Sequence, residues 1–245
     1  MHLSTNAIII PTATASFSNA FSTEFDGVDD TIISESVYTG LNGLTKASFS
    51  VWVKPISGGS TLRMVFHIGK GSTLQTSQCQ LFLYEGNRID FSIDSTSYFG
   101  RGNISAITYG SWNHILVTID LDSTDEFKIY VNGADETTID NMGSRSAFAT
   151  ATDEIYVGES KTGYLNPFDG NIDEFAIFPN TALSASDVTT IYNSGTPNDI
   201  SSFSPSIWWR MGDNDSGSGV TITDQGSASV DGTLTNGASF VSDVP

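Results

Sequence analysis

Phe25-Asp26-Gly27-Val28-Asp29-Asp30-Thr31-Ile32 and Phe168-Asp169-Gly170-Asn171-Ile172-Asp173-Glu174-Phe175-Ala176-Ile177-Phe178 are two distant stretches built alike. Each sets an Asp-Gly turn and clustered carboxylates directly before alternating apolar residues, the pattern of a strand with an acidic tip. Pairing the two strands gathers oxygen ligands at one end of a sheet. Calcium takes six to eight oxygens, so the candidate ligands are Asp26, Asp29, Asp30, Asp173 and Glu174. Counted by strand parity, Asp173 shares a face with Phe175 and Ile177 and points inward, where an unpaired carboxylate is costly and calls for a cation. The competing reading is that these aspartates cap turns through backbone N–H groups.

Between the two tips come Ala47-Ser48-Phe49-Ser50-Val51-Trp52-Val53-Lys54-Pro55, Trp112-Asn113-His114-Ile115-Leu116-Val117-Thr118-Ile119-Asp120 and Phe127-Lys128-Ile129-Tyr130-Val131-Asn132-Gly133. Strand-like runs are expected at 21–34, 47–55, 62–69, 78–84, 88–94, 111–120, 126–132, 154–158 and 170–178. Glu85-Gly86-Asn87 and Asn132-Gly133 read as hairpin turns. The one convincing helix is 184–193, opened by Ser184 with Asp187 three residues on and followed by Ser194-Gly195-Thr196-Pro197.

This ordered set resembles a laminin-G-like, concanavalin A-type jelly roll over roughly residues 20–195, and its specificity lies in the order, since each run alone is a commonplace strand. The resemblance implies an all-β sandwich of two antiparallel sheets with one short helix near 184–193. It says little about activity, because lectins, glycan-cleaving enzymes, adhesion modules and viral surface proteins share this fold. Residues 1–20 are expected to form an arm or edge strand and 21–245 one domain. The tail 207–245, with Ile207-Trp208-Trp209-Arg210-Met211-Gly212-Asp213, resembles a segment that precedes the Phe-Asp-Gly strand in many such domains. Folding back to complete the sandwich gives Trp208, Trp209 and Phe240 a core.

Composition narrows the function classes. Fifteen Phe, eight Tyr and four Trp among abundant turn residues suit an all-β core. A formal charge of -18 argues against nucleic acid, which needs a basic surface. The lone Cys79 forbids an internal disulfide. No stretch approaches a membrane span, and the start of the chain lacks the pattern of a secretory signal.

For catalysis, the resemblance points to the Glu-x-Asp-x-Glu strand of related glucanases. Here Asn171 and Phe175 stand where the two glutamates belong, so the retaining pair is missing and hydrolysis by that route is excluded. His2, His67 and His114 are scattered with no triad or zinc spacing. A sugar platform is sought in two presumed loops, at Tyr98, Arg101 and Asn103 and at Tyr164 and Asn166. The leading expectation is a non-catalytic virion structural or decoration protein of phage type, docked on capsid or tail proteins and self-associating, with cell-surface glycan as a further partner. The alternative is a calcium-dependent carbohydrate-binding or adhesion module of a secreted, extracellular protein.

Overall fold

The computed structural model describes residues 17–56, 62–69, 77–84, 88–93, 98–122, 127–141, 147–150, 153–160 and 167–245. Strands are numbered in chain order. The first antiparallel sheet runs β10 (Ala134–Asp135), β9 (Phe127–Val131), β8 (Asn113–Asp120), β3 (Lys46–Pro55), β13 (Asp169–Pro179), β1 (Ser22–Asp26) and β17 (Ser239–Val241), with β14 (Ile207–Trp209) also on β13. The second runs β11 (Thr137–Asn141), β7 (Tyr98–Asn103), β6 (Arg88–Ile93), β5 (Ser77–Tyr84), β4 (Leu62–Gly69), β12 (Glu154–Val157), β2 (Thr31–Ser34), β16 (Gly232–Thr235) and β15 (Thr221–Ile222). Together they form the two-sheet sandwich of a jelly roll.

Alternation decides which side chains fill it. Phe49, Val51 and Val53 of β3 enter the core between the sheets, and Phe49 packs 5.5 Å from Phe66 and 5.2 Å from Phe91. The opposite face of the first sheet is apolar too, at Leu116, Tyr130, Ala176 and Phe178. Helix α1 (Ala185–Tyr192) covers it with Val188 and Ile191. Ser184 and Asp187 form a reciprocal capping box at its start, and Asn193 closes it in the left-handed region. His114 lies buried here with Nε2 2.8 Å from Ser50 Oγ, and burial lowers its pKa to about 3. It is a neutral structural residue.

Three expectations need correction or completion. The run 21–34 is two strands: the loop through Gly27, at φ +75°, leaves β1 in the first sheet and enters β2 in the second. Residues 98–103 form a strand rather than a loop. Gly100 and Gly102 face the core, where a Cβ would meet Phe127 at 2.1 Å and Ile129 at 2.3 Å, so these glycines serve close packing and not a turn. The turn Glu85–Asn87 lies outside the described residues, whereas Asn132 and Gly133 adopt φ of +51° and +80°, as a tight hairpin requires.

In the tail, β14 pairs with β13, β16 with β2 and β17 with β1. Trp209 is fully buried in the core, with its indole N–H donating to the Val230 carbonyl at 2.9 Å.

Candidate functional site

The β1–β2 loop crosses between the sheets at their rim, and this places Asp26, Asp29 and Asp30 together. One carboxylate oxygen from each lies within 4.8 Å of the others. Two oxygens that each sit about 2.4 Å from one ion are separated by at most about 4.8 Å, so the cluster has the dimensions of a calcium site. Asp26 and Asp29 are exposed, and Asp30 is buried. The loop is held by its own acids: the Asp26 N–H donates to Asp30 Oδ2 at 2.9 Å and the Val28 N–H to Asp26 Oδ1 at 2.8 Å. Turn capping and carboxylate clustering are therefore both present.

The other oxygen of Asp30, Oδ1, is buried without a hydrogen-bond partner of normal geometry, although the nearby Ala238 N–H opposes the rise in its pKa. Burial raises that pKa first, and the charges of Asp26 and Asp29 add to the rise. Antiparallel register sets Asp169 opposite Asp26, and both line a cleft of about 350 Å³ with Glu24, Asp30, Ile56 and Ser239. Arg63 approaches Asp169 at 3.7 Å. Asp169 is the rim acid that strand parity missed; opposing the two Asp-Gly tips residue for residue would have found it.

Asp173 and Glu174 are elsewhere. Ile172, Phe175 and Ile177 all face the core, which is possible only because the register shifts between Asp173 and Ala176, with Glu174 at φ +48°. This bulge turns both acids away from the core. It sits where one edge of β13 changes partner, from β1 opposite Ile172 to β14 opposite Phe175. The gap between those two strands is filled by charge. Glu174 accepts from Trp208 Nε1 at 2.5 Å and from Arg210 Nε at 3.1 Å. Arg210 Nη2 donates to Asp213 Oδ2 at 2.9 Å and to the Ser18 carbonyl at 2.5 Å. The preceding segment completes the cluster: Asn19 Nδ2 donates to Asp173 Oδ2 at 3.0 Å, and the N–H groups of Ala20 and Phe21 donate to Asp213 Oδ1 at 2.8 and 3.1 Å. Asp173 and Glu174 thus take no part in the rim cluster.

One guanidinium cannot neutralise three buried carboxylates, so protons must. Burial pushes Asp173 well above the usual carboxylate range, with the Glu174 charge adding to it. Burial also raises Glu174 to about 7 against the opposing pull of Arg210, and raises Asp213. Groups whose folded pKa exceeds the unfolded value stabilise the fold most below the unfolded value and lose that contribution as pH rises through the folded one. These acids therefore lower the melting temperature between pH 5 and pH 8, while neutral His114, with a folded pKa of about 3 against 6.5 unfolded, raises it up to about pH 6.5; across the interval the parent is expected to lose stability relative to Glu174→Gln. Asp135, Asp199 and Asp243, whose pKa values are lowered from 3.8, act only at more acid pH. Parallel pH profiles for the parent and Glu174→Gln contradict the assignment.

The presumed sugar platforms fare differently. Tyr164 and Asn166 lie outside the described residues, and Tyr98 is described only as the first position of β7. Arg101 is paired with Asp90, which also holds Arg88. Asn103 is occupied in capping the short helix Ile104–Ala106. Nothing brings Arg101 and Asn103 to the rim cleft.

No curated protein matches the chain. Among solved structures, a candidate carbohydrate-binding protein from Bacteroides ovatus is similar at a TM-score of 0.61 and 17% identity, over 92% of this chain and 60% of that one. This chain therefore spans less than two thirds of that protein. A heptameric SAP-like pentraxin from Limulus polyphemus gives 0.56 and 16%, over 71% and 82%. Domain 4 of an extracellular arabinanase from Geobacillus stearothermophilus, solved with arabinotriose, gives 0.50 and 23%, over 70% and 76%. Similarity at these identities concerns the fold. The profile of the concanavalin A-like lectin/glucanases superfamily matches residues 26–189, and with the two-sheet jelly roll in place the chain belongs to that superfamily.

Proposed function

We propose that the chain is a non-catalytic glycan-binding module of an extracellular protein, which recognises its ligand at the rim cleft through a calcium ion held by Asp26, Asp29 and Asp30. The observation that carries this reading is the convergence of three carboxylates within 4.8 Å at the mouth of the cleft, backed by a buried Asp30 oxygen without a partner. Asp169 lines the same cleft. Calcium would supply positive charge to the cluster and, at its solvent side, coordination positions for ligand hydroxyls. Ile56, half exposed beside the acids, offers an apolar surface for the C–H face of a sugar ring. The similar Bacteroides protein and the arabinanase domain support the glycan class.

Calcium at ten to a hundred times its dissociation constant is expected to stabilise the chain by about 1.4–2.7 kcal/mol. Asp26→Asn/Asp29→Asn should abolish that increment. Thermal unfolding with calcium and with chelator measures it, beside glycan-array binding under both conditions. Equal melting temperatures with and without calcium would refute the metal role, and calcium-independent glycan binding would refute its role in recognition.

A decoration role on a virion surface is the second reading. Its support is that Ser18–Phe21 are fastened to Arg210, Asp173 and Asp213. The oligomeric mass of the chain with and without residues 1–20 tests it: an oligomer lost on deletion supports docking, and a monomer in both forms opposes it.

A further inference from the structure

We propose that the outer face of the first sheet carries a second ligand site, a cleft of about 430 Å³ that takes a neutral polyhydroxylated ligand, such as a short oligosaccharide, without calcium. It shares no lining residue with the rim cleft. Its volume falls in the range of small-molecule sites.

The donor and acceptor inventory selects the ligand. Arg210 lines the cleft; its Nε is taken by Glu174 and its Nη2 by Asp213 and Ser18. Nη1 is the guanidinium nitrogen left without a hydrogen bond among the described residues, on a side chain that is 11% exposed. The guanidinium also lies 4.2 Å from the centroid of Phe17 and 5.3 Å from that of Trp208, so it is held rigidly against two rings. The acceptors line the same cleft. Asp199 accepts from the Ser201 N–H with the Ser201 hydroxyl also bonded to it, Gln225 has its amide nitrogen on the Thr223 carbonyl and its oxygen without a hydrogen bond among the described residues, and Asn214 is exposed and lines the same cleft.

The cleft thus brings together a fixed donor, a carboxylate, two amides and aromatic rings. A free anion would meet Asp199 and Asp213, and a simple cation would meet Arg210. A hydroxyl both donates and accepts, so it satisfies both sides at once, and its ring carbons can lie against Phe17.

The test is an NMR titration of the full ¹⁵N-labelled chain, in chelator, with maltotriose, cellotriose, xylotriose and arabinotriose. The expected result is that at least one of these shifts the side-chain amide signals of Asn214 and Gln225 and the Trp208 indole N–H, and that Asn214→Ala/Gln225→Ala weakens its binding tenfold or more. Both residues are exposed, so the double variant should melt with the parent. The proposal is overturned if none of the four moves those signals, if shifts are confined to residues 26–30, or if the double variant binds as the parent does. Because chelator is present throughout, failure here leaves the calcium-dependent rim site to be judged by its own experiment.

Discussion

Replacing Arg210 with alanine is expected to destabilise the protein by about 3–5 kcal/mol at pH 8, the cost of leaving buried carboxylates without their cation. Exposed ion pairs contribute about 1 kcal/mol or less, so urea unfolding separates the two cases clearly. The Arg210 side chain is 11% exposed, while the Glu174 and Asp213 side chains are 5% and 3% exposed, and no other cation is paired with either among the described residues. The loss should shrink at pH 5, where Glu174, with its pKa near 7, carries a proton. It should shrink likewise when Arg210→Ala is combined with Glu174→Gln and Asp213→Asn, because the uncompensated charges are then gone. A loss of 1 kcal/mol or less, unchanged by pH, would show that the cluster is effectively solvated. The same variant should weaken protection of the Ala20 and Phe21 amides in hydrogen exchange, since Asp213, their acceptor, is positioned by Arg210.

Trp209→Ala is expected to cost about 3–5 kcal/mol, in the range of large aromatic side chains removed from cores. Trp209 is fully buried, 5.7 Å from Phe175 and bonded to the Val230 carbonyl. A Cβ at Gly232 would stand 2.9 Å from Ile32 Cγ2 and 3.3 Å from the indole, so this glycine lets β16 pack closely on both. Removing the indole leaves a cavity between β14 and β16 and an unpaired carbonyl. A cost within about 0.5 kcal/mol, as for a surface residue, would mean that 207–245 does not unfold with the rest of the sandwich.

Much of this fold is legible in local pattern. Phe49, Val51 and Val53 alternate strictly, and they point as alternation requires. Ser184 and Asp187 announce a capped helix, and the capping box is there. Glycine misled where its reason was not local: Gly100 and Gly102 look like a loop, yet they let β7 lie over Phe127 and Ile129 of the facing sheet. Strand parity misled at Asp173 for a related cause. Nothing between Asn171 and Phe175 signals a bulge, because the bulge lies where β1 and β14 meet along one edge of β13, and those strands lie far away in the chain on either side of it.

The sequence by itself determined the central strands such as β3, β8 and β9, the helix and the acidic tip at Asp26, Asp29 and Asp30, since these follow from period, capping chemistry and residues four positions apart at most. Only the tertiary structure decided the partners: Asp169 beside Asp26, Arg210 among Asp173, Glu174 and Asp213, and Trp209 against Phe175 and the Val230 carbonyl. Burial and ion pairing depend on which distant strands share an edge, and backbone pairing fixes that choice with hydrogen bonds that are the same for every residue type, so no local pattern records it.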